Sequence, residues 1–132
     1  MRTLIVEDDF TSRLLLQMFL SKFGECHIAV NGKEAVDAYH LALGRKQPYN
    51  LICMDILMPV MDGHEAATTI RIHEDTQGVP PIARVKIFMI SSVDDADSIV
   101  RSAREACDTY IVKPIDIGVL LKKLKSFKLV SA

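Results

Sequence analysis

Five polar residues scattered along the chain, Glu7, Asp8, Asp55, Ser91 and Lys113, are of the types that move a phosphoryl group. Carboxylates that gather in one place repel each other unless a cation lies between them. Hard divalent ions take oxygen ligands, and Mg²⁺ uses one or two protein carboxylates beside water and phosphate oxygens. Asp8 and Asp55, with Glu7 nearby, meet that need. Lys113 adds a fixed positive charge and Ser91 a hydroxyl donor. A carboxylate acceptor, a cation, an ammonium and a hydroxyl are the parts of phosphoryl transfer onto a protein side chain. Cation and ammonium neutralise the equatorial oxygens while the carboxylate attacks in line. Asp55 is the candidate acceptor. It ends the apolar run "LICMD", and the following "ILMP" offers no helix for it to cap.

Residues this far apart need a fold to join them. "RTLIV" (2–6), "CHIAV" (26–30), "LICMD" (51–55), "VKIFMI" (85–90) and "TYIV" (109–112) read as five strands. Five helix-period stretches alternate with them. In the first, Leu15, Phe19 and Phe23 share a face and Gly24 stops the helix. In the second, Asn31 and Glu34 form a capping box, Ala35, Tyr39 and Leu43 make the stripe, and Gly44 ends it. The third starts near Asp62, with Glu65 three residues on, and carries Ala66 and Ile70 inward. The fourth begins in "DDAD" and holds Ile99, Val100 and Ala103. The fifth follows Asp116 and buries Ile117, Leu121 and Leu124. The segment "HEDTQGVPPIAR" (73–84) reads as a surface loop.

Strict β-α alternation predicts a parallel sheet with helices on both faces. The near-continuous apolar strands agree, because such a sheet is covered on both sides. Ligands of open α/β sheets bind beyond the carboxyl ends of the strands. Strand one is followed there by Glu7 to Asp9, strand three ends at Asp55, strand four in Ser91-Ser92, and strand five in Lys113-Pro114. Taken singly, each piece has a plainer reading. "EDD" could cap a helix, Ser91 could be a cap, and Lys113-Pro114 could be a turn. Their conjunction at one edge favours chemistry.

Composition narrows the classes. The chain has 132 residues, 49% apolar and 25% charged, with a formal net charge of −1. That suits one soluble domain, 1–132, with no bulk attraction to nucleic acid or anionic membrane. Cys26, Cys53 and Cys107 lie far apart without ligand spacing, so they read as free thiols, Cys53 as a buried inert one. No run is long enough to cross a bilayer, and a cytoplasmic location is expected. His27, His40, His64 and His73 are scattered and show no ligand spacing. Met58 and Met61 read as adaptable packing beside the site. Lys122, Lys123, Lys125 and Lys128 read as solvated charge near a helix C-terminus.

The motifs "LIVEDD" (4–9), "MDILMPVMDG" (54–63), "MISS" (89–92) and "YIVKP" (110–114) resemble the receiver domain of two-component response regulators, the chemotaxis-type superfamily. The resemblance covers nearly the whole chain. It implies a flavodoxin-like, doubly wound five-stranded parallel sheet in the order 2-1-3-4-5, with five helices on both faces. It implies that a sensor histidine kinase or histidine phosphotransfer protein phosphorylates Asp55. Asp8, Asp55 and the backbone carbonyl of Leu57 would hold Mg²⁺, Glu7 would assist, and Mn²⁺ could substitute. Lys113 would pair with the phosphoryl group, Ser91 would move to meet it, and Tyr110 would swing inward. The peptide to Pro114 would be cis. The fourth helix, fifth strand and fifth helix would form the output surface for a downstream protein, with no direct DNA or membrane binding. Such a receiver catalyses only its own phosphotransfer and a slow autodephosphorylation.

Two positions depart from the fast-dephosphorylating members of that family. Leu57 follows Asp55 by two residues and Val93 follows Ser91 by two, where those members carry polar groups that orient water. A long-lived phosphorylated state is therefore expected. No output domain is expected in this chain, which would signal through a partner or belong to a longer protein. Three rivals are weighed. A metal-dependent aspartyl phosphohydrolase would want a second aspartate at position 57. A nucleotide or flavin binder would want a Gly-rich loop where "EDDF" stands. A degenerate receiver would lack part of the acceptor set.

Overall fold

The computed structural model describes residues 1–92 and 106–131. The strands are β1 (Thr3–Val6), β2 (Cys26–Ala29), β3 (Leu51–Asp55), β4 (Lys86–Ser91) and β5 (Thr109–Val112). All pairings are parallel and the order is β2-β1-β3-β4-β5. The helices are α1 (Phe10–Leu20), α2 (Gly32–Gly44), α3 (Gly63–Thr76) and α4 (Ile117–Ser126), with short 3₁₀ turns at Ser21–Phe23 and Pro81–Ala83. The fourth expected helix, with Ile99, Val100 and Ala103, lies outside the described residues, as does Val93. Four α-helices are thus described where five are expected, and α4 is the fifth of those.

Alternation along each strand splits the core in two. Leu4, Val6, Ile52, Met54, Ile87 and Met89 point to the face covered by α2 and α3. Ile5, Leu51, Cys53, Phe88 and Ile90 point to the face covered by α1 and α4. All are buried, and each fully buried aliphatic or aromatic side chain contributes roughly 1.5–3 kcal/mol. β1, β3 and β4 lie inside the sheet, which places two acidic strand ends, β1 and β3, side by side.

Two helix faces differ from expectation. On α1 the buried pair is Leu16 and Leu20, while Leu15 turns outward. Phe19 and Phe23 still pack against that core, ring edge to ring face at 5.4 Å. On α4, Leu120 and Leu124 are the buried pair rather than Leu121 and Leu124, with Ile117 at the margin. At the end of α2, Gly44 is the last helical residue, and Lys46 takes the left-handed conformation at φ 57°. Lys128 lies beyond α4, and Lys123 donates to the Thr109 hydroxyl at 2.9 Å rather than standing in solvent.

The caps hold where expected. Asp9, Asn31, Asp62 and Asp116 each accept from a backbone N–H three residues on. Glu34 reaches back to the Val30 N–H, a variant of the expected box. Arg71, only partly buried, ties α3 to the start of β5. Its guanidinium donates to Glu74, Asp108 and the carbonyls of Val85 and Ala106 at 2.7–2.9 Å. No spacing rule connects residues 71 and 108, so this network is invisible before folding.

Candidate phosphoacceptor site

Each carboxylate arrives from a strand end. β1 stops at Val6, and Glu7 follows directly, its backbone N–H donating to Ala29 O at 3.1 Å. Arg13, one turn into α1, donates to Glu7 O at 3.1 Å. Glu7 is fully buried, Asp8 is exposed, and Asp55, the last residue of β3, is nearly buried. One carboxylate oxygen from each of the three lies within 4.8 Å of the others.

Lys113, just past β5, closes the group. Its Nζ donates to Asp55 Oδ2 at 3.0 Å and to Glu7 Oε1 at 3.1 Å. Asp9 N–H also donates to Glu7 Oε1, and Leu57 N–H to Asp55 Oδ1, both at 3.1 Å. Glu7 Oε2 is buried and has no hydrogen-bond partner among the described residues. Burial, and then the neighbouring Asp55 charge, push the Glu7 carboxyl up to about 7. Burial works against the Lys113 charge, but the hydrogen bond and charge of Asp55, with Glu7 behind it, outweigh this and hold its pKa above the ordinary value. A buried oxygen without a donor, inside a ring of three carboxylates, is what a hard divalent cation satisfies. The residues present fit such an ion.

The loop after Asp55 is pinned at several points. Ile56 N–H donates to Ile90 O at 3.0 Å, and Gly63 N–H to Ile56 O at 2.7 Å. A Cβ on Gly63 would lie 2.3 Å from Asp55 O and 2.9 Å from Ile56 Cα, so α3 can begin against the acceptor only with glycine there. Val60, between Pro59 O and Met61 N–H (2.8 Å apart), is held at φ 71°, a strained conformation for a β-branched side chain. Met58 and Met61 are half-buried against the core, as adaptable packing requires.

The remaining candidates lie around this centre. Ser91 is the buried last residue of β4, one place beyond Ile90, which pairs with Asp55 in the ladder. Tyr110, on β5, pairs with Met89 of β4 and packs half-buried against the α2–α3 side of the core. The Lys113-Pro114 peptide is cis. His27, His40 and His73 find partners within the fold. His27 bonds to Tyr49 and Glu25, while His40 and His73 meet each other. Burial pushes the Cys53 thiol far up, which leaves it unreactive.

The sequence model of the response regulator receiver domain matches residues 3–125. The chain belongs to the response regulator receiver family. As a receiver it is a two-component phosphotransfer switch rather than a metabolic enzyme. It is 33% identical over 124 residues to the transcriptional regulatory protein SrrA of Staphylococcus aureus, covering 93% of this chain and 46% of SrrA. It is 32% identical to hybrid signal transduction histidine kinase G of Dictyostelium discoideum, covering 89% of this chain and 3% of that protein. The chain thus spans under half the length of these relatives.

Among solved structures, the receiver is similar to that of Saccharomyces cerevisiae Ssk1, co-crystallised with the histidine phosphotransfer protein Ypd1. Identity is 31% and TM-score 0.79, covering 96% of this chain and 88% of that one. It is also similar to the receiver of the Arabidopsis thaliana histidine kinase CKI1 complexed with Mg²⁺. There identity is 30% and TM-score 0.78, over 93% of this chain and 90% of that one. Among the described residues, no helix of this receiver is long and apolar enough to cross a membrane.

Proposed function

We propose that this receiver accepts a phosphoryl group on Asp55 from a phosphohistidine and relays the event through β5 and α4. The observation that carries the reading is the single Lys113 ammonium shared between Asp55 and the buried Glu7. Asp8 and Asp55, the Leu57 carbonyl and, more remotely, Glu7 would hold Mg²⁺, or Mn²⁺ in its place. The ion would supply positive charge for the transferring oxygens. Lys113 would leave Glu7 and follow the phosphoryl oxygens, and Ser91 would donate a hydroxyl to them. Leu57 N–H already holds one Asp55 oxygen, which orients the carboxylate for attack.

Two surfaces support the direction of traffic. On α1, which starts beside Asp8, Phe10, Leu14 and Met18 form an exposed apolar stripe at i, i+4, i+8 spacing. It suits the helix of a histidine-bearing donor, either a sensor kinase or a phosphotransfer protein. At the β5 edge of the sheet, Tyr110, Val112, Val119 and Lys123 line an open cleft of about 400 Å³ between β5 and α4, suited to a downstream protein. A phosphoryl group adds nearly two negative charges, and it shifts the switch only by as much as its contacts differ between states. The receiver would act in the cytoplasm, would bind neither DNA nor membrane itself, and would clear its phosphate slowly without a partner.

The test sets this reading against an aspartyl phosphohydrolase. A small-molecule phosphodonor with Mg²⁺ should load one hydroxylamine-labile phosphoryl group per chain. A generic phosphomonoester should release no phosphate steadily. Sustained release would favour the hydrolase instead.

A further inference from the structure

Folding joins two histidines that the sequence keeps 33 positions apart. His40 on α2 and His73 on α3 have ring centroids 4.8 Å apart, with planes at 84°. Tyr39 Oη lies 3.1 Å from His73 Nδ1. Both imidazoles line a cavity of about 490 Å³ between the C-terminal halves of α2 and α3, together with Tyr39, Tyr49 and Gln77. His73 lies ten residues along α3 from Gly63, about 15 Å from the acceptor end of the helix.

We propose that His40 and His73 form a second cation site, separate from the acidic cluster, for a divalent transition metal of the zinc class. Imidazole suits such ions, whereas carboxylate and water suit Mg²⁺. Two imidazoles on one tetrahedral ion, with Zn–N bonds of about 2 Å, have centroids roughly 5 Å apart. The observed separation already meets this. His73 has the outer support that ligating histidines carry. With its Nδ1–H donated to the Tyr39 oxygen, Nε2 holds the lone pair a metal needs. Burial, first among the causes, pushes Tyr39 up to about 12, so the phenol stays neutral and cannot form an ion pair with His73 instead. His40 is exposed and makes no hydrogen bond among the described residues, so its ring can turn about χ2 to bring a nitrogen round. The cavity admits the ion and the waters that complete its shell. The ion would clip α2 to α3, two helices whose contact covers one side of the sheet.

Zinc titration against a chromophoric chelator tests the site in the Asp8→Asn chain, where the competing acidic cluster is impaired. That chain should bind one Zn²⁺. His40→Ala and His73→Ala should each weaken the affinity at least about tenfold. Ring signals of both histidines should shift with Zn²⁺ and stay in place with Mg²⁺. If His73→Ala fails to fold, the exposed His40→Ala decides alone. Zinc affinity unchanged by His40→Ala, or no zinc binding at all, overturns the proposal.

Discussion

Lys113 Nζ lies 3.0 Å from Asp55 Oδ2 and bridges residues 58 positions apart, from the far side of β4. The same ammonium holds buried Glu7, so three strand ends meet on one charge. Removing it leaves two carboxylates facing each other with little water between them. Lys113→Ala should lower stability by about 1–3 kcal/mol at pH 8. It should still be labelled at Asp55, but labelling should no longer alter partner binding. Urea unfolding and a binding assay on the labelled chain check the two parts. Undiminished phosphorylation-dependent output would contradict the second.

Glu7 makes the fold pH-sensitive. Its folded pKa is about 7 against an ordinary 4.5, so between those values the folded chain keeps a proton that the unfolded chain has released. That contribution to stability is complete below about 4.5 and fades as pH rises through 7. Without divalent ions, the unfolding midpoint should fall over this window, and Glu7→Gln should flatten the fall. Mg²⁺ affinity should rise over the same window, because the ion competes with the proton. A native profile no steeper than that of Glu7→Gln would contradict the assignment.

Leu57 is 44% exposed beside the acceptor, and its side chain has no group to hold an attacking water. The phosphorylated chain alone should therefore persist for minutes or longer. Leu57→Asn should shorten that lifetime by up to roughly tenfold. Decay of native labelled chain within seconds, followed by intact mass, would refute the idea.

Gly63 sits where a Cβ would strike the backbone of Asp55 and Ile56. Gly63→Ala should destabilise the fold by about 1–3 kcal/mol and slow labelling, because α3 or the acceptor must shift. Denaturant midpoints and labelling rates measure both effects. Native-like values for both would show that the loop gives way freely.

The five strands and the four charged positions were legible in the sequence, because each charge follows an apolar run that a covered parallel sheet must contain, whereas the strand order came only through the family resemblance. Helix phase was less so. "LLLQMFL" and "VLLKKL" hold more apolar residues than one face can bury, so period alone admits Leu15 or Leu16, and Leu121 or Leu120. Packing against Ile5 and Phe88 decides for Leu16 and Leu120. The Arg71–Asp108 tie and the His40–His73 pair were not legible at all. Each joins residues from separate elements whose approach depends on the completed fold.

The most direct measurement is intact mass after incubation with acetyl phosphate and Mg²⁺, comparing the native chain with Asp55→Asn. The native chain should gain one phosphoryl group and lose that gain when Mg²⁺ is chelated beforehand, while Asp55→Asn gains none and keeps its fold. Equal labelling of the two chains, or none of the folded native chain, would contradict the assignment of Asp55 as acceptor.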